Sequence, residues 1–162
     1  GFVVVAPDEA AANYLPDGYP SATFHNYNNN ISALTYTIPT IYPGVQVTSE
    51  VKFTNAGTIK TQTFVNTAQG ICNIANQTLF DALKITVNGT DISGTGGDKL
   101  SALANAIATA VGELEPGDNN SKTITIIQEL PIGEPGDNTT ENQTGDTWRV
   151  GFVFEQYNAP TE

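Results

Sequence analysis

The feature that most constrains the fold is a series of short segments in which apolar and polar residues alternate, separated by turn-forming residues. The segment 45–53 shows the two-residue period of a strand with one buried face, and an interruption at Ser49 indicates a β-bulge. The other predicted strands are 21–27, 31–39, 59–66, 82–92, 122–131 and 147–157. Strands of this length and spacing, together with one crossing helix, predict an all-β fold, a jelly-roll-like antiparallel β-sandwich with one or two short helices.

Two of these strands carry further signals. The Asn88-Gly89 pair inside the segment 82–92 favours a tight hairpin turn. In the last strand, alternate residues are large and apolar, and these core-facing positions are Trp148, Val150, Phe152 and Phe154. We therefore expect the C-terminal strand to be central to the core.

One segment has the period of a helix instead. Asp98 is the expected N-cap, and Gly112 is expected to end the helix. The apolar residues at helical spacing between them are Leu100, Leu103, Ala104, Ile107 and Val111. The short segment 78–83 is expected to add one further helical turn.

The first six residues, GFVVVA, are apolar and strand-forming without any charge. In a strand, their even-numbered and odd-numbered side chains point to opposite faces, so this strand favours burial on both sides. The candidate residues of such an inserted strand are Phe2, Val3, Val4, Val5 and Ala6, with Phe2 and Val4 as the expected anchors. Exposed, a strand of this kind would aggregate.

Residues 7–20 contain two Pro-containing turn signals and are predicted to be a linker. The linker allows two partners for the first strand, its own domain or a neighbouring copy of the chain. We divide the chain into residues 1–12, a donor strand and linker, and residues 13–162, a sandwich domain. Pairing with a neighbour would be strand addition of the kind used by pilins.

Charge and composition exclude several classes of partner. The chain has 17 acidic and 6 basic residues, a net charge of -11, which repels nucleic acid and anionic membranes. No apolar run is long enough to insert into a membrane. The absence of Met, including at position 1, is expected from removal of a signal peptide and predicts an extracellular protein. Cys72 is the single cysteine and is expected to be a buried thiol rather than half of a disulfide.

Six sequons fit an exported glycoprotein, and the candidate glycosylation sites are Asn30, Asn76, Asn88, Asn119, Asn138 and Asn142.

The residues needed for catalysis are mostly missing. His25 is the only histidine, and no zinc-protease, serine-hydrolase or phosphate-loop motif is present. The sequence therefore predicts no enzyme, no metal and no cofactor. The loop 133–146 is expected to be a solvated acidic loop, with calcium as the alternative because carboxylates and amide oxygens are concentrated there. Its carboxylates are Glu134, Asp137, Glu141 and Asp146.

Three motifs occur in order between Gly44 and Ala159. They are a strand ending in Asn55-Ala56-Gly57, a turn with Leu114, Pro116 and Gly117 before a Thr/Ile-rich strand, and a loop with Asn142, Gly145 and Asp146 before an aromatic strand. In this order they resemble the TasA/camelysin family of secreted biofilm fibre proteins, most closely its archaeal relatives, the bundling pilins. The resemblance implies a jelly-roll subunit that polymerises by donor-strand exchange. The metalloprotease label of camelysin-type members does not carry over, because no zinc-binding helix is present.

The expected function is that of a structural subunit of an extracellular pilus or fibre at the cell surface. Its partners would be copies of itself in the filament and other filaments in biofilm bundles. Filaments with a charge of -11 per subunit repel one another, so bundling would need short-range polar contacts, glycans or bridging cations. The alternative is a secreted carbohydrate-binding or adhesive module, in one version calcium-dependent, which would need an exposed aromatic platform. A secreted hydrolase is disfavoured by the missing catalytic partners.

Overall fold

Eleven strands and two helices make up the described part of the computed structural model, residues 3–12, 21–26, 31–38, 43–44, 46–66, 72–131 and 146–156. The strands are β1 (Val3–Ala12), β2 (Ser21–Asn26), β3 (Ile31–Ile38), β4 (Gln46–Asn55), β5 (Thr61–Asn66), β6 (Asn73–Ile74), β7 (Lys84–Val87), β8 (Thr90–Asp91), β9 (Glu113–Leu114), β10 (Lys122–Glu129) and β11 (Asp146–Gln156). The helices are α1 (Gln77–Ala82) and α2 (Gly96–Val111), and a 3-10 turn covers Asp118–Asn120.

The strands form two antiparallel sheets. One has five strands in the order β1-β4-β10-β7-β8, and the other has six strands, β2-β3-β11-β5-β9 with β6 paired to β11. Among the described strands, the chain crosses from one sheet to the other at seven of the ten connections, and only β2–β3, β5–β6 and β7–β8 join strands of the same sheet. The prediction of an all-β antiparallel sandwich is confirmed, and this repeated crossing is the jelly-roll-like part of it.

Strand β4 alternates without interruption, so the predicted bulge at Ser49 is wrong. Its odd-numbered residues are buried from Val47 to Asn55, and its register with β10 is continuous. Ser49 breaks the apolar pattern because it is a buried polar residue whose hydroxyl hydrogen-bonds to the Tyr36 hydroxyl of the other sheet. The irregularity lies in the partner strand β1, which has one extra residue between Pro7 and Ala10 opposite this part of β4.

Helix α2 begins earlier than predicted. Its N-cap is Thr95, which makes no side-chain capping bond, and Asp98 lies in the first turn. The Asp81 carboxylate at the end of α1 accepts a hydrogen bond of 2.6 Å from the Gly96 amide, so the cap comes from another helix. At the other end, Gly112 terminates the helix with a φ of 56°, as predicted.

The core fills the space between the sheets, and α2 closes one side of it. The four predicted core-facing residues of β11 are all buried, with Trp148 fully enclosed. Helix α2 contacts strands of both sheets, β7 and β10 in one and β5 and β11 in the other. Its buried residues Leu103, Ile107 and Val111 belong to the same hydrophobic cluster as these strands. On the opposite side of the sandwich, the edge strands β1 and β2 contact each other.

A chain of buried polar groups joins the two sheets inside this core. The Tyr36 ring stacks on the Trp148 ring with centroids 5.2 Å apart, and the Trp148 indole donates to the Gln128 Oε1 at 3.1 Å. Burial raises the pKa of the Tyr36 phenol well above its ordinary value, so it stays protonated. Because these groups need each other as partners, they fix how one sheet sits on the other.

Candidate subunit interface

Strand β1 contains the predicted donor residues and occupies an edge of the five-stranded sheet. It pairs antiparallel with β4 of the same chain, with Val3 opposite Asn55 and Ala12 opposite Val47. This is the pairing within its own domain that the sequence left open, while exchange between chains stays a prediction. The strand also takes in residues 7–12, the first part of the predicted linker, and Phe2 lies outside the described residues.

The register shows which residues of β1 bond to β4. The Asn55 carbonyl accepts from the Gly117 amide on the side of β4 that faces β10. Because backbone groups alternate sides along a strand, odd-numbered residues of β4 bond toward β10 and even-numbered ones toward β1. The hydrogen-bonded pairs of β1 therefore include Val4 with Thr54 and Ala6 with Lys52.

The outer edge of β1 is poorly suited to accept another strand. Val3, Val5 and Pro7 lie opposite odd-numbered residues of β4, so their backbone groups point away from β4. Pro7 has no N–H, and the register shift that follows it, in a stretch containing Asp8 and Glu9, interrupts the edge. Proline, bulges and charge are the usual protection of an edge strand.

Asn55 organises the end of β4 nearest the start of β1. Its side chain is fully buried, and its Nδ2 donates to the carbonyls of Ile59 at 2.8 Å and Leu114 at 2.9 Å. Its Oδ1 accepts from the Gly57 amide at 2.9 Å, while its backbone carbonyl accepts from the Gly117 amide at 3.0 Å. Two motifs that are 59 residues apart, Asn55-x-Gly and Leu114-x-Pro-Gly, are therefore joined through one amide side chain.

Two lysines that the sequence interpretation missed hold the elements around α2. Lys99 is buried, and its ammonium donates to the carbonyls of Phe80 at 2.6 Å and Leu83, at the end of α1. Burial lowers the pKa of Lys99, and the nearby Asp81 charge partly opposes this. A signal was present, since Lys99 precedes Leu103 by four residues and so lies on the inward face of the helix.

Lys122 holds the other end of α2. Its ammonium donates to the carbonyls of Val111 at 2.8 Å and Glu113 at 2.7 Å. A cation at this position satisfies a terminal carbonyl and complements the negative end of the helix dipole.

The sequons differ in their exposure. Asn88 and Asn119 are exposed in turns, although the Asn88 Oδ1 accepts from the Thr125 amide at 2.8 Å. Asn76 is half-buried and caps α1 by accepting from the Leu79 amide at 3.1 Å. The other candidate sites, Asn30, Asn138 and Asn142, lie outside the described residues. Attachment of a glycan is therefore sterically simplest at the two exposed positions.

The remaining candidate groups lie in separate segments or outside the described residues. Cys72 is half-buried against the core rather than fully buried, with its Sγ 3.5 Å from the Asn66 carbonyl. His25 lies in β2, and Asp146 begins β11. The acidic loop residues Glu134, Asp137 and Glu141 fall outside the described part of the chain. In that part, no three His, Cys, Asp or Glu side chains are grouped so as to hold a metal ion.

Comparison with known proteins gives no relative. Neither a protein-family model, nor a curated protein, nor a solved structure matches this chain. Among the described residues, no helix has the length and apolar character to span a bilayer.

Proposed function

We propose that this chain is a structural subunit of an extracellular fibre, in which β1 of one copy pairs with β4 of the next. The observation that carries the proposal is the position of β1, an edge strand whose one ladder among the described strands is with β4. Withdrawing it breaks a single ladder and leaves the ladder between β4 and β10 intact. The vacated edge of β4 then offers its even-numbered backbone groups to another copy.

Exchange between copies requires little new free energy. The same ladder forms whether β1 comes from the same chain or from an identical neighbour, so the contacts made and broken are alike. The sequence of the eight residues between β1 and β2 includes Pro16, Gly18 and Pro20, residue types that are typical of linkers and turns. Head-to-tail exchange generates a filament when the rotation between copies does not close into a ring.

Deletion and peptide complementation test the proposal. The full chain should form regular filaments by electron microscopy, and a chain lacking Gly1 to Ala6 should not. The peptide GFVVVAPDEA should raise the thermal midpoint of the truncated protein by filling the edge of β4. Filaments of normal appearance from the truncated chain would contradict the proposal.

The register supplies a matched pair of control variants. Val4→Pro removes an N–H that bonds to Thr54, whereas Val5→Pro removes one that points away from β4. Both remove one valine, but the two side chains point to opposite faces of the strand, so each proline variant is compared with the alanine variant at the same position. We expect Val4→Pro, in the peptide or the full chain, to lose complementation and filaments, and Val5→Pro to retain most of both. Equal effects of the two prolines would contradict the assigned ladder.

A further inference from the structure

A nearly uncharged surface surrounds helix α2 in an otherwise acidic chain. Two grooves flank the helix, one of 510 Å³ beside the β7–β8 hairpin and one of 340 Å³ beside β5. Asn105 and Thr109 line both grooves and form the ridge between them. We call this surface, the ridge with its two grooves, the α2 face.

Charge distinguishes the α2 face from the rest of the chain. Of the described residues that line the two grooves, only Asp91 is charged, although the whole chain has 17 acidic residues among 162. The helix itself has no charged residue from Leu100 to Val111. A solvent-exposed helix face usually carries charged residues opposite its buried stripe, so their absence here requires another explanation.

The groove beside β5 offers an apolar anchor. Phe64 lines it with 47% of its surface exposed, the only aromatic side chain among the described residues that is this open. Aromatic side chains are enriched at the buried centre of protein interfaces, so this ring is the expected anchor of a contact here.

We infer that the α2 face binds a second copy of this chain. Two copies with a charge of -11 repel wherever acidic surfaces meet, and this repulsion is least where both faces are neutral. A basic partner would instead be attracted to the acidic surfaces and would gain nothing from this one. The contact does not use β1 or β4, so it is separate from the proposed strand exchange.

Asn105→Glu tests the contact. The substitution places a carboxylate on the ridge, and it should not weaken the helix because Glu has the higher helix propensity. In a contact between two copies, the added carboxylate of each copy would be buried against the neutral surface of the other. We expect self-association to weaken by more than about tenfold. Phe64→Ser should also weaken it by removing the exposed ring.

Asn119→Glu is the matched control, since it makes the same substitution at an exposed residue outside both grooves. The proteins are produced without glycans, because a glycan on Asn88 would lie in the groove beside the hairpin. Sedimentation velocity of the soluble fraction and electron microscopy of the assembled fraction give the readouts. Wild type and Asn119→Glu should associate equally.

The outcomes separate this inference from the proposed function. Filaments that form without dimers or paired filaments would overturn the inference and leave the fibre proposal intact. If the protein forms no filaments but does form dimers, and Asn105→Glu abolishes those dimers, the inference stands and the fibre proposal is overturned. Equal association of Asn105→Glu and Asn119→Glu would also overturn the inference.

Discussion

The two sides of the sandwich are closed in different ways. On one side, β1 is attached to β4 by a backbone ladder and contacts the edge strand β2. On the other, α2 is held by buried apolar side chains and by Lys99 and Lys122, which donate to backbone carbonyls around its two ends. Backbone pairing is the same with any copy of the strand, whereas a packed helix depends on its own surroundings. The first side is therefore the one suited to the proposed exchange between copies, and the second is suited to stay closed.

Leu103→Ala should have the largest effect on stability, because it weakens the packing of α2 against the sheets. Leu103 is fully buried between α2 and the sheets, and truncation at such sites costs about 2–5 kcal/mol. Chemical denaturation should show this loss in the free energy of unfolding. The truncation of Gly1 to Ala6 should cost less, because it removes one edge ladder. If the truncation lowered the free energy of unfolding more than Leu103→Ala does, β1 rather than α2 would be the more firmly held side.

Asn55→Ala should have the next largest effect on stability, because the Asn55 side chain joins the end of β4 to Leu114, which lies just after α2. It leaves the carbonyls of Ile59 and Leu114 and the Gly57 amide without the Asn55 side chain. A buried polar group that loses its hydrogen-bond partner costs about 1–3 kcal/mol. Because relaxation and water recover part of this cost, we expect a total loss of about 3 kcal/mol in the free energy of unfolding. Asn73→Ala, at an exposed residue of β6, serves as the control and should change the denaturation midpoint little. Similar losses of unfolding free energy in Asn55→Ala and Asn73→Ala would show that the hydrogen bonds of the Asn55 side chain contribute little to stability.

Lys99→Met should have a moderate effect that depends on pH. The variant removes donors to the carbonyls of Phe80 and Leu83, and the loss should be about 1–3 kcal/mol at neutral pH.

The sign of the pH dependence follows from the lowered pKa of Lys99. The unfolded chain binds the Lys99 proton up to about pH 10.5, but the folded chain releases it at a lower pH. The contribution of Lys99 to stability therefore rises with pH between these two values. The difference in unfolding free energy between wild type and Lys99→Met should widen in favour of wild type over that alkaline range. A difference that narrows there would show that the buried ammonium is stabilised rather than penalised.

Lys60→Ala should have the smallest effect. Its ammonium lies 3.2 Å from Glu113 and 3.7 Å from Glu115, but all three side chains are partly exposed. Exposed ion pairs contribute at most about 1 kcal/mol and are screened by salt. Thermal unfolding in low and high salt should show a small loss that shrinks as salt increases. A salt-independent loss would assign Lys60 a packing role.

Local patterns predicted much of the fold, and distant contacts account for the failures. The strand pattern of β11 and the glycine stop at Gly112 depend on nearby residues, and both are confirmed. The start of α2 was misplaced because its capping carboxylate is Asp81, 15 residues away. Ser49 suggested a bulge because its partner Tyr36 lies in the other sheet.

The candidate interface was less accessible from the sequence. The apolar run of β1 indicates a strand that needs a partner, but both copies of the chain offer the same β4, so no pattern distinguishes the two pairings. The role of Asn55 depends on carbonyl groups up to 59 residues away, and its burial follows from the meeting of β4 with β9. The lack of charge from Leu100 to Val111 is visible in the sequence, but the grooves beside the helix also need β5 and the β7–β8 hairpin, which only the fold brings to it.

The proline at position 7 has a consequence for the shape of an assembly. An open edge with continuous N–H groups would let chains add side by side, and the product would be a sheet that widens without limit. With Pro7 and the register shift interrupting that edge, we expect growth by β1 to proceed in one dimension. The length of a fibre would then depend on strand exchange, and its width on how many copies meet through α2.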